Sequence, residues 1–361
     1  MRDNNMRATN MRGATMRGAT MRGGKSILSG SFGCVFRPAL RCPDDTTERN
    51  EKNISKVFYK PHIFDLELEL GTMIKSMDPQ GRYHVPIIKS CTTTPTLIDP
   101  QIDTTEKCDK PLQLDKESYY QFIQPYAGTD LYHYRAKSSH ELNKLLTSMI
   151  NLFDGLILFK KYGFVHRDIK SENILYDTET GQTRFIDFSL SLYAKDVATN
   201  PSKYFNSENR YPLKRIYHPY PPDILLMNYE QERWLYTEKI TELEQKIQKT
   251  SYNYYELNPN IKGEIAQLYQ NANKINIYDC LMSLDTFSLG VVLWEVLQFN
   301  KGYVSRRLYN ELCGLVAKMT RILYLNRISI EKARSEYKSI LSMRSKSIRR
   351  NRYTKKSTTK L

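Results

Sequence analysis

His166-Arg167-Asp168-Ile169-Lys170-Ser171-Glu172-Asn173 is the stretch on which the reading of this chain turns. It follows a strongly periodic segment in which Leu142, Leu145, Leu146, Met149, Leu152, Phe153, Leu156 and Ile157 recur at helical spacing. Ser138 and Glu141 form a capping box at the start of that segment, and Lys160, Lys161 and Gly163 mark its end. The octapeptide is therefore read as a loop fed by a well-bounded helix. An aspartate that accepts a hydroxyl proton, a lysine two residues on for phosphate charge, and an asparagine five residues on to hold magnesium suit phosphoryl transfer. A polar loop in which His166 and Asp168 merely satisfy each other is the plain alternative. Several matching residue types at fixed offsets argue against it.

The flanks add weaker signals that gain force from their order. Phe185-Ile186-Asp187-Phe188-Ser189 reads as an apolar strand ending in a carboxylate, placed to supply a second magnesium ligand. Upstream, Ile27-Leu28-Ser29-Gly30-Ser31-Phe32-Gly33-Cys34-Val35 reads as a strand, a tight turn and a returning strand. Small residues there let backbone N–H groups approach phosphates, although a Gly-Ser-Phe-Gly hairpin by itself is more often only a turn. Lys56 follows in the strand-like Asn53-Ile54-Ser55-Lys56-Val57, and Glu67 and Glu69 lie on a short helix within Ile63–Lys75. Strand lysines are usually solvated, so each of these is weak alone.

Taken in order, residues 27–341 resemble the eukaryotic-type protein kinases: glycine-rich loop, strand lysine, helix glutamate, catalytic loop, magnesium aspartate. The resemblance implies an α+β, two-lobed fold, with a small antiparallel-sheet N-lobe bearing one main helix and a larger helical C-lobe. It implies ATP and Mg2+ as cofactors, with Ile27 to Val35 covering the nucleotide and Lys56 holding its α- and β-phosphates. Glu69 would lock that lysine, because Met73 four residues on suits a hydrophobic spine position; Glu67 is the alternative. Asp168 would be the catalytic base, Lys170 the γ-phosphate contact, and Asn173 and Asp187 the metal ligands. Leu175 would floor the adenine pocket and Val35 roof it. Phe122-Ile123-Gln124-Pro125-Tyr126-Ala127 resembles the hinge, with Ile123 as gatekeeper, Gln124 and Tyr126 beside the nucleotide, and Asp130 placed for ribose. Pro221-Pro222-Asp223 resembles the close of the activation segment, with Arg327 as ion-pair partner of Asp223. Asp285-Thr286-Phe287-Ser288-Leu289-Gly290 resembles the start of the buried helix that anchors the catalytic loop.

The sequence departs from the family's pattern at four places. Leu28 stands for the first loop glycine, Ile54 for the small residue before the lysine, Ser189 for the glycine after Asp187-Phe188, and Asp223 for a glutamate. None removes a catalytic group, but together they keep open a second reading, a pseudokinase scaffold that binds nucleotide or partners without catalysis. Lys170 is the form found in serine/threonine kinases, so proteins bearing serine or threonine are the expected substrates. Arg167 is expected either to pair with a phosphorylated activation segment, with Thr199, Ser202 and Ser207 as candidate sites, or to pair within its own loop. The short loop form running into Arg37-Pro38-Ala39-Leu40, with the inserted segments, looks like divergent kinases of large double-stranded DNA viruses.

Composition bounds the rest. Hydrophobic residues at 40% and aromatics at 11% of 361 residues fit a folded protein with a real core. Of the net +15, residues 1–25 carry +5 and residues 342–361 carry +8, so the middle is near neutral. The first segment repeats Met-Arg-Gly-Ala-Thr at Met11 and Met16 and is expected to be a disordered basic tail, as is 342–361. Either tail is a candidate for weak contact with nucleic acid or an anionic surface, or for plain solvation. Between them the expected division is an N-lobe at 26–125 and a C-lobe at 126–341 with an insertion around 226–283, including a polar helix at Glu230–Lys249. Thr92–Lys116 is expected to be an exposed insertion. No apolar run is expected to reach the roughly 20 residues of a transmembrane segment, and Phe287–Leu297, too short to span, is expected to be a buried helix. Six cysteines without close pairs suggest reduced thiols and a cytoplasmic protein that is not secreted (host cytoplasm or virion, if viral). Cys34, beside the loop glycine, is a candidate for a modification that blocks ATP.

Overall fold

Strand-forming residues and one forced glycine build the first unit. In the computed structural model, β1 (Lys25–Ser29) pairs antiparallel with β2 (Gly33–Arg37), which pairs antiparallel with β3 (Asn53–Phe58). The structure describes residues 25–29, 33–46, 49–58, 60–102, 117–201, 204, 220–224, 257–258, 260–271 and 275–357. Gly33 faces Phe58 across β2 and β3, and a Cβ there would collide with the Val57 carbonyl, so the close approach requires glycine. β4 (Lys89–Thr93) pairs antiparallel with β5 (Tyr119–Pro125), completing a five-stranded sheet in the order β1-β2-β3-β5-β4. Cys34, Phe36, Leu40, Val57, Ile98 and Tyr119 pack as its core, Ile98 coming from the single turn α2 (Pro95–Ile98). Ser55, buried in the sheet, accepts the Leu40 N–H at 3.0 Å, which satisfies a hydroxyl that would otherwise be stranded.

This unit corrects the expectation of reduced thiols. Cys42 and Cys91 form a disulfide across 49 residues, with their Cα atoms 6.1 Å apart, and Cys34 is also disulfide-bonded. Spacing along the chain gave no hint, because the connection between β2 and β3 folds back onto β4. Lys89 reinforces that closure with contacts to Asp44 at 3.0 Å and Asp45 at 2.7 Å. Cys34 is therefore not a free thiol, and its side chain is fully buried. The free cysteines among the described residues are Cys280 and Cys313, both buried.

The second unit comprises Lys60–Ile88 and Gln124–Leu361. α1 (Pro61–Met77) groups with it, because Leu70, Ile74 and Met77 join the same hydrophobic cluster as the helices that follow. The sequence reading had placed α1 with the sheet. The capped segment forms α3 (Ser139–Ser148) and α4 (Ile150–Lys161), divided at Met149. Ser138 Oγ accepts the Glu141 N–H at 3.2 Å, and Glu141 reaches back to the Lys137 N–H at 2.8 Å. Gly163 ends α4 in the left-handed region at φ 68°, its N–H bonded to the Lys160 carbonyl.

β6 (Thr129–Asp130), ahead of α3, joins β8 (Ile174–Asp177) and β9 (Gln182–Phe185) in one small sheet, and β7 (Phe164–Val165) pairs with β10 (Leu192–Tyr193) in another. Among the described residues the remaining α-helices are α5 (Ala194–Thr199), α6 (Ile261–Asn271), α7 (Ile277–Phe299), α8 (Arg306–Met319) and α9 (Ile330–Ser357). α7 is buried nearly all round, through Leu284, Phe287, Leu289, Val292, Leu293 and Val296. Two 23-residue stretches, Ser139–Lys161 and Ile277–Phe299, are long and apolar enough to cross a membrane by length and composition. Read from sequence, the apolar core of the second, Phe287–Leu297, is too short to span, because it leaves out the flanking residues that the helix includes. Each lies against the hydrophobic core of this unit.

α9 also differs from expectation, since helix continues through Ser357 where a disordered tail was read. The candidate helix at Glu230–Lys249, most of the 226–283 insertion, Ser202, Ser207 and the first 24 residues lie outside the described residues.

Candidate active site

The loop at residues 166–173 is assembled from its own short sequence and then hung on α7. Asn173 Nδ2 donates to the Asp168 carboxylate at 2.7 Å and to the Asp168 carbonyl at 2.9 Å. Lys170 Nζ lies 2.9 Å from the same carboxylate oxygen. Offsets of two and five residues suffice for this because Ser171–Asn173 makes a single tight turn that brings the three side chains to one side. Asp285, near the centre of α7, accepts the backbone N–H of His166 at 2.7 Å and of Arg167 at 3.0 Å. Burial pushes the Asp285 carboxyl up, opposed by those two N–H groups and by the neighbouring His166 and Arg167. The same burial pushes the His166 imidazole down, against the pull of Asp285, Asp168 and Asp187. His166 therefore acts as a neutral packing group, its ring 4.4 Å from that of Phe188.

Arg167 occupies the left-handed region at φ 66°, its guanidinium donating to the Leu190 carbonyl at 3.3 Å and lying 5.9 Å from the Tyr220 ring. Both partners lie outside the loop at 166–173, in the segment that follows Asp187. Among the described residues Asp187 is the other non-glycine residue with positive φ, at 59°. Backbone strain of this kind persists where the surroundings over-determine it, and both cases lie at or beside the candidate residues Asp168 and Asp187. Ile186 N–H donates to the Asn173 carbonyl at 3.0 Å, so the segment bearing Asp187 is tied to the turn bearing Asn173.

These two residues fit a magnesium ion by the chemistry of their donors. With Nδ2 of Asn173 turned to Asp168, its amide oxygen is left for a cation, and Asp187 adds a carboxylate. No cluster of three or more His, Cys, Asp or Glu side chains suited to a metal occurs among the described residues. One carboxylate and one amide suit an ion that takes its other ligands from phosphates and water.

The other predicted residues divide between the units. Val35, Cys34, Gly33 and Lys56 belong to the sheet unit, where Val35 lies opposite Lys56 in the register and Lys56 Nζ sits 5.0 Å from the Phe58 ring centroid. Ile27, Leu28 and Ser29 are on β1, while Gly30, Ser31 and Phe32 lie outside the described residues. Glu67 and Glu69 are on α1, Glu67 half-buried and Glu69 exposed. In the helical unit Gln124 donates to the Val85 carbonyl at 3.2 Å, Tyr126 follows β5 and is half-buried, and Asp130 pairs with Leu175 across β6 and β8. The Asp130 carboxylate already receives the His133 N–H at 2.9 Å and sits 2.8 Å from its Nδ1. Asp223 and Arg327 form the expected ion pair at 3.0 Å, both side chains fully buried.

Several contacts of the site carry no mark in the sequence. His84 Nδ1 pairs with Asp78 at 2.9 Å, and its ring lies 6.5 Å from that of Phe188. Ser191 Oγ donates to the His166 carbonyl at 3.1 Å. Glu295 on α7 hydrogen-bonds Ser171 of the catalytic loop. Periodicity in α7 could have pointed to Glu295, a carboxylate in an otherwise apolar run.

With this geometry in view, comparison with known proteins is specific. Residues 100–211 match the protein kinase domain family. The chain is 35% identical over 78 residues to a probable serine/threonine-protein kinase, fnkB, of Dictyostelium discoideum, covering 21% of this chain and 15% of that protein. It is 38% identical over 72 residues to a non-specific serine/threonine protein kinase of Drosophila melanogaster, covering 19% of this chain and 10% of that protein. The chain thus aligns with only a small part of the length of either relative. The fold is of the protein-kinase class, an α+β architecture with an antiparallel sheet unit and a larger helical unit.

Proposed function

We propose that this chain is an active protein kinase that transfers the γ-phosphoryl group of MgATP to serine or threonine hydroxyls of proteins. The convergence of Lys170 and Asn173 on one oxygen of Asp168 carries the reading. Bound MgATP supplies the phosphoryl donor and the charge that stabilises the transferring group. Asp168 orients the attacking hydroxyl and accepts its proton, while Asn173 holds the carboxylate in place from the side. Lys170 lies on the same carboxylate and reaches the transferred phosphate as it moves. The two similar relatives are both named as serine/threonine kinases, which supports the substrate class.

A phosphotransfer assay on a generic basic protein, read by mass spectrometry for the modified residue type, tests this. Asp168→Asn is expected to lower turnover about a hundredfold or more, the scale of general-base loss. Lys56→Met should do likewise. Undiminished transfer in both variants would overturn the site. Leu28, Ile54 and Ser189 motivate the scaffold reading, which predicts nucleotide binding without autophosphorylation or transfer in the unaltered chain.

A further inference from the structure

Five residues after β9 are held by contacts that use two serine hydroxyls. Ser189 Oγ donates to Asp187 Oδ1 at 2.7 Å, and the Ser189 N–H approaches the same oxygen at 3.4 Å. Ser191 N–H closes a turn onto the Phe188 carbonyl at 2.9 Å, and Ser191 Oγ ties that turn to His166. Asp187 itself has φ 59°, in the left-handed region that most non-glycine residues avoid and aspartate tolerates better than most. A glycine at position 189, as the kinase resemblance would place there, could offer only the backbone N–H at the longer distance. The hydroxyl makes the shorter bond, and a donor to an ionised carboxylate is among the stronger hydrogen bonds.

We propose that Ser189 is a positioning residue for the metal site: its hydroxyl helps fix the rotation of the Asp187 carboxylate that would hold the cation. This rests on the reading of Asp187 as a metal ligand. The chemistry is consistent, since an ionised carboxylate has about four lone-pair sites and can accept a hydroxyl while also binding a cation. It also gives the serine a role that its departure from the family pattern did not suggest.

The test is binding of Mn2+, followed by electron paramagnetic resonance, to the full chain saturated with a non-hydrolysable ATP analogue. Unaltered chain, Ser189→Ala, Ser189→Thr and Asp187→Asn are compared. Ser189→Ala is expected to weaken Mn2+ binding about tenfold, the lower range for a hydrogen bond to a charged group. Ser189→Thr, which restores a hydroxyl, should return to within about twofold of the unaltered chain by the same reasoning. The Mg2+ concentration giving half-maximal phosphotransfer should rise in parallel for Ser189→Ala. Equal binding by Ser189→Ala and the unaltered chain would overturn the proposal, as would equal weakening by Ala and Thr, which would implicate packing instead. If Asp187→Asn binds Mn2+ as well as the unaltered chain does, the metal assignment itself fails, and the proposal with it.

Discussion

Asp285 accepts the backbone N–H of Arg167 at 3.0 Å while Arg167 sits at φ 66°, so a carboxylate on the central helix holds the catalytic loop in a conformation it would not keep alone. The same carboxylate takes the His166 N–H. Asp285→Asn keeps one acceptor and turns an NH2 toward the other N–H. The expected cost is about 2–3 kcal/mol, the penalty of a buried unsatisfied donor. Urea unfolding reads the stability loss, and phosphotransfer should fall with it even at temperatures where the variant is folded.

Arg327 and Asp223 are both fully buried, and Arg327 also donates to the carbonyls of Arg321 and Ile322 and to Ser283 Oγ. Replacing it by methionine leaves a carboxylate without its countercharge. The expected loss is about 3–5 kcal/mol, the usual consequence of breaking a buried pair from one side. Adding Asp223→Asn to Arg327→Met should recover part of it, and a double-mutant cycle from urea midpoints measures the coupling.

Glu295 is mostly buried beside the catalytic loop, and burial pushes its carboxyl up to about 7, with Glu172 adding to the rise and the Ser171 bond opposing it. A carboxyl raised in the folded state binds its proton more tightly there than in the unfolded chain. Its contribution is therefore fully present below about pH 4.5 and is lost as pH climbs through about 7. Glu295→Gln removes the titration, so its stability relative to the unaltered chain should grow over that window, by at most about 3 kcal/mol. Thermal unfolding at pH 5 and pH 8 checks this; the same difference at both would contradict it.

The Cys42–Cys91 bond closes 49 residues of chain within the sheet unit. A closed loop of that length is worth about 2–4 kcal/mol. Reductant should therefore lower the urea midpoint, and Cys42→Ser/Cys91→Ser should reproduce a large part of the loss without reductant. Peptide mapping under non-reducing conditions should recover Cys42 and Cys91 in one linked fragment. Their recovery as separate thiol peptides would refute the pairing.

The parts of the site that were legible beforehand are local. Asp168, Lys170 and Asn173 lie within six consecutive residues, and the short turn Ser171–Asn173 lets Lys170 and Asn173 reach back to Asp168. Ser138 and Glu141 announced the start of α3 for the same reason, a cap spanning three residues. The apolar run at 287–297 also announced itself, because only burial accommodates a helix with no polar face.

What the tertiary structure decided has contacts between distant residues in common. A cysteine reads the same whether paired or free, so Cys42 and Cys91 became partners only when the loop after β2 folded onto β4. α1 grouped with the helical unit because its apolar stripe found Leu70, Ile74 and Met77 a place in that core, something a stripe alone does not specify. The grip of Asp285 on His166 spans 119 residues, and the nearness of Glu295 to Ser171 spans a similar length of chain. Sequence by itself determined which chemistry this protein can hold, since that chemistry is written in short offsets. Folding alone decided which carboxylates, thiols and hydroxyls stand beside it, because their partners come from elsewhere in the chain.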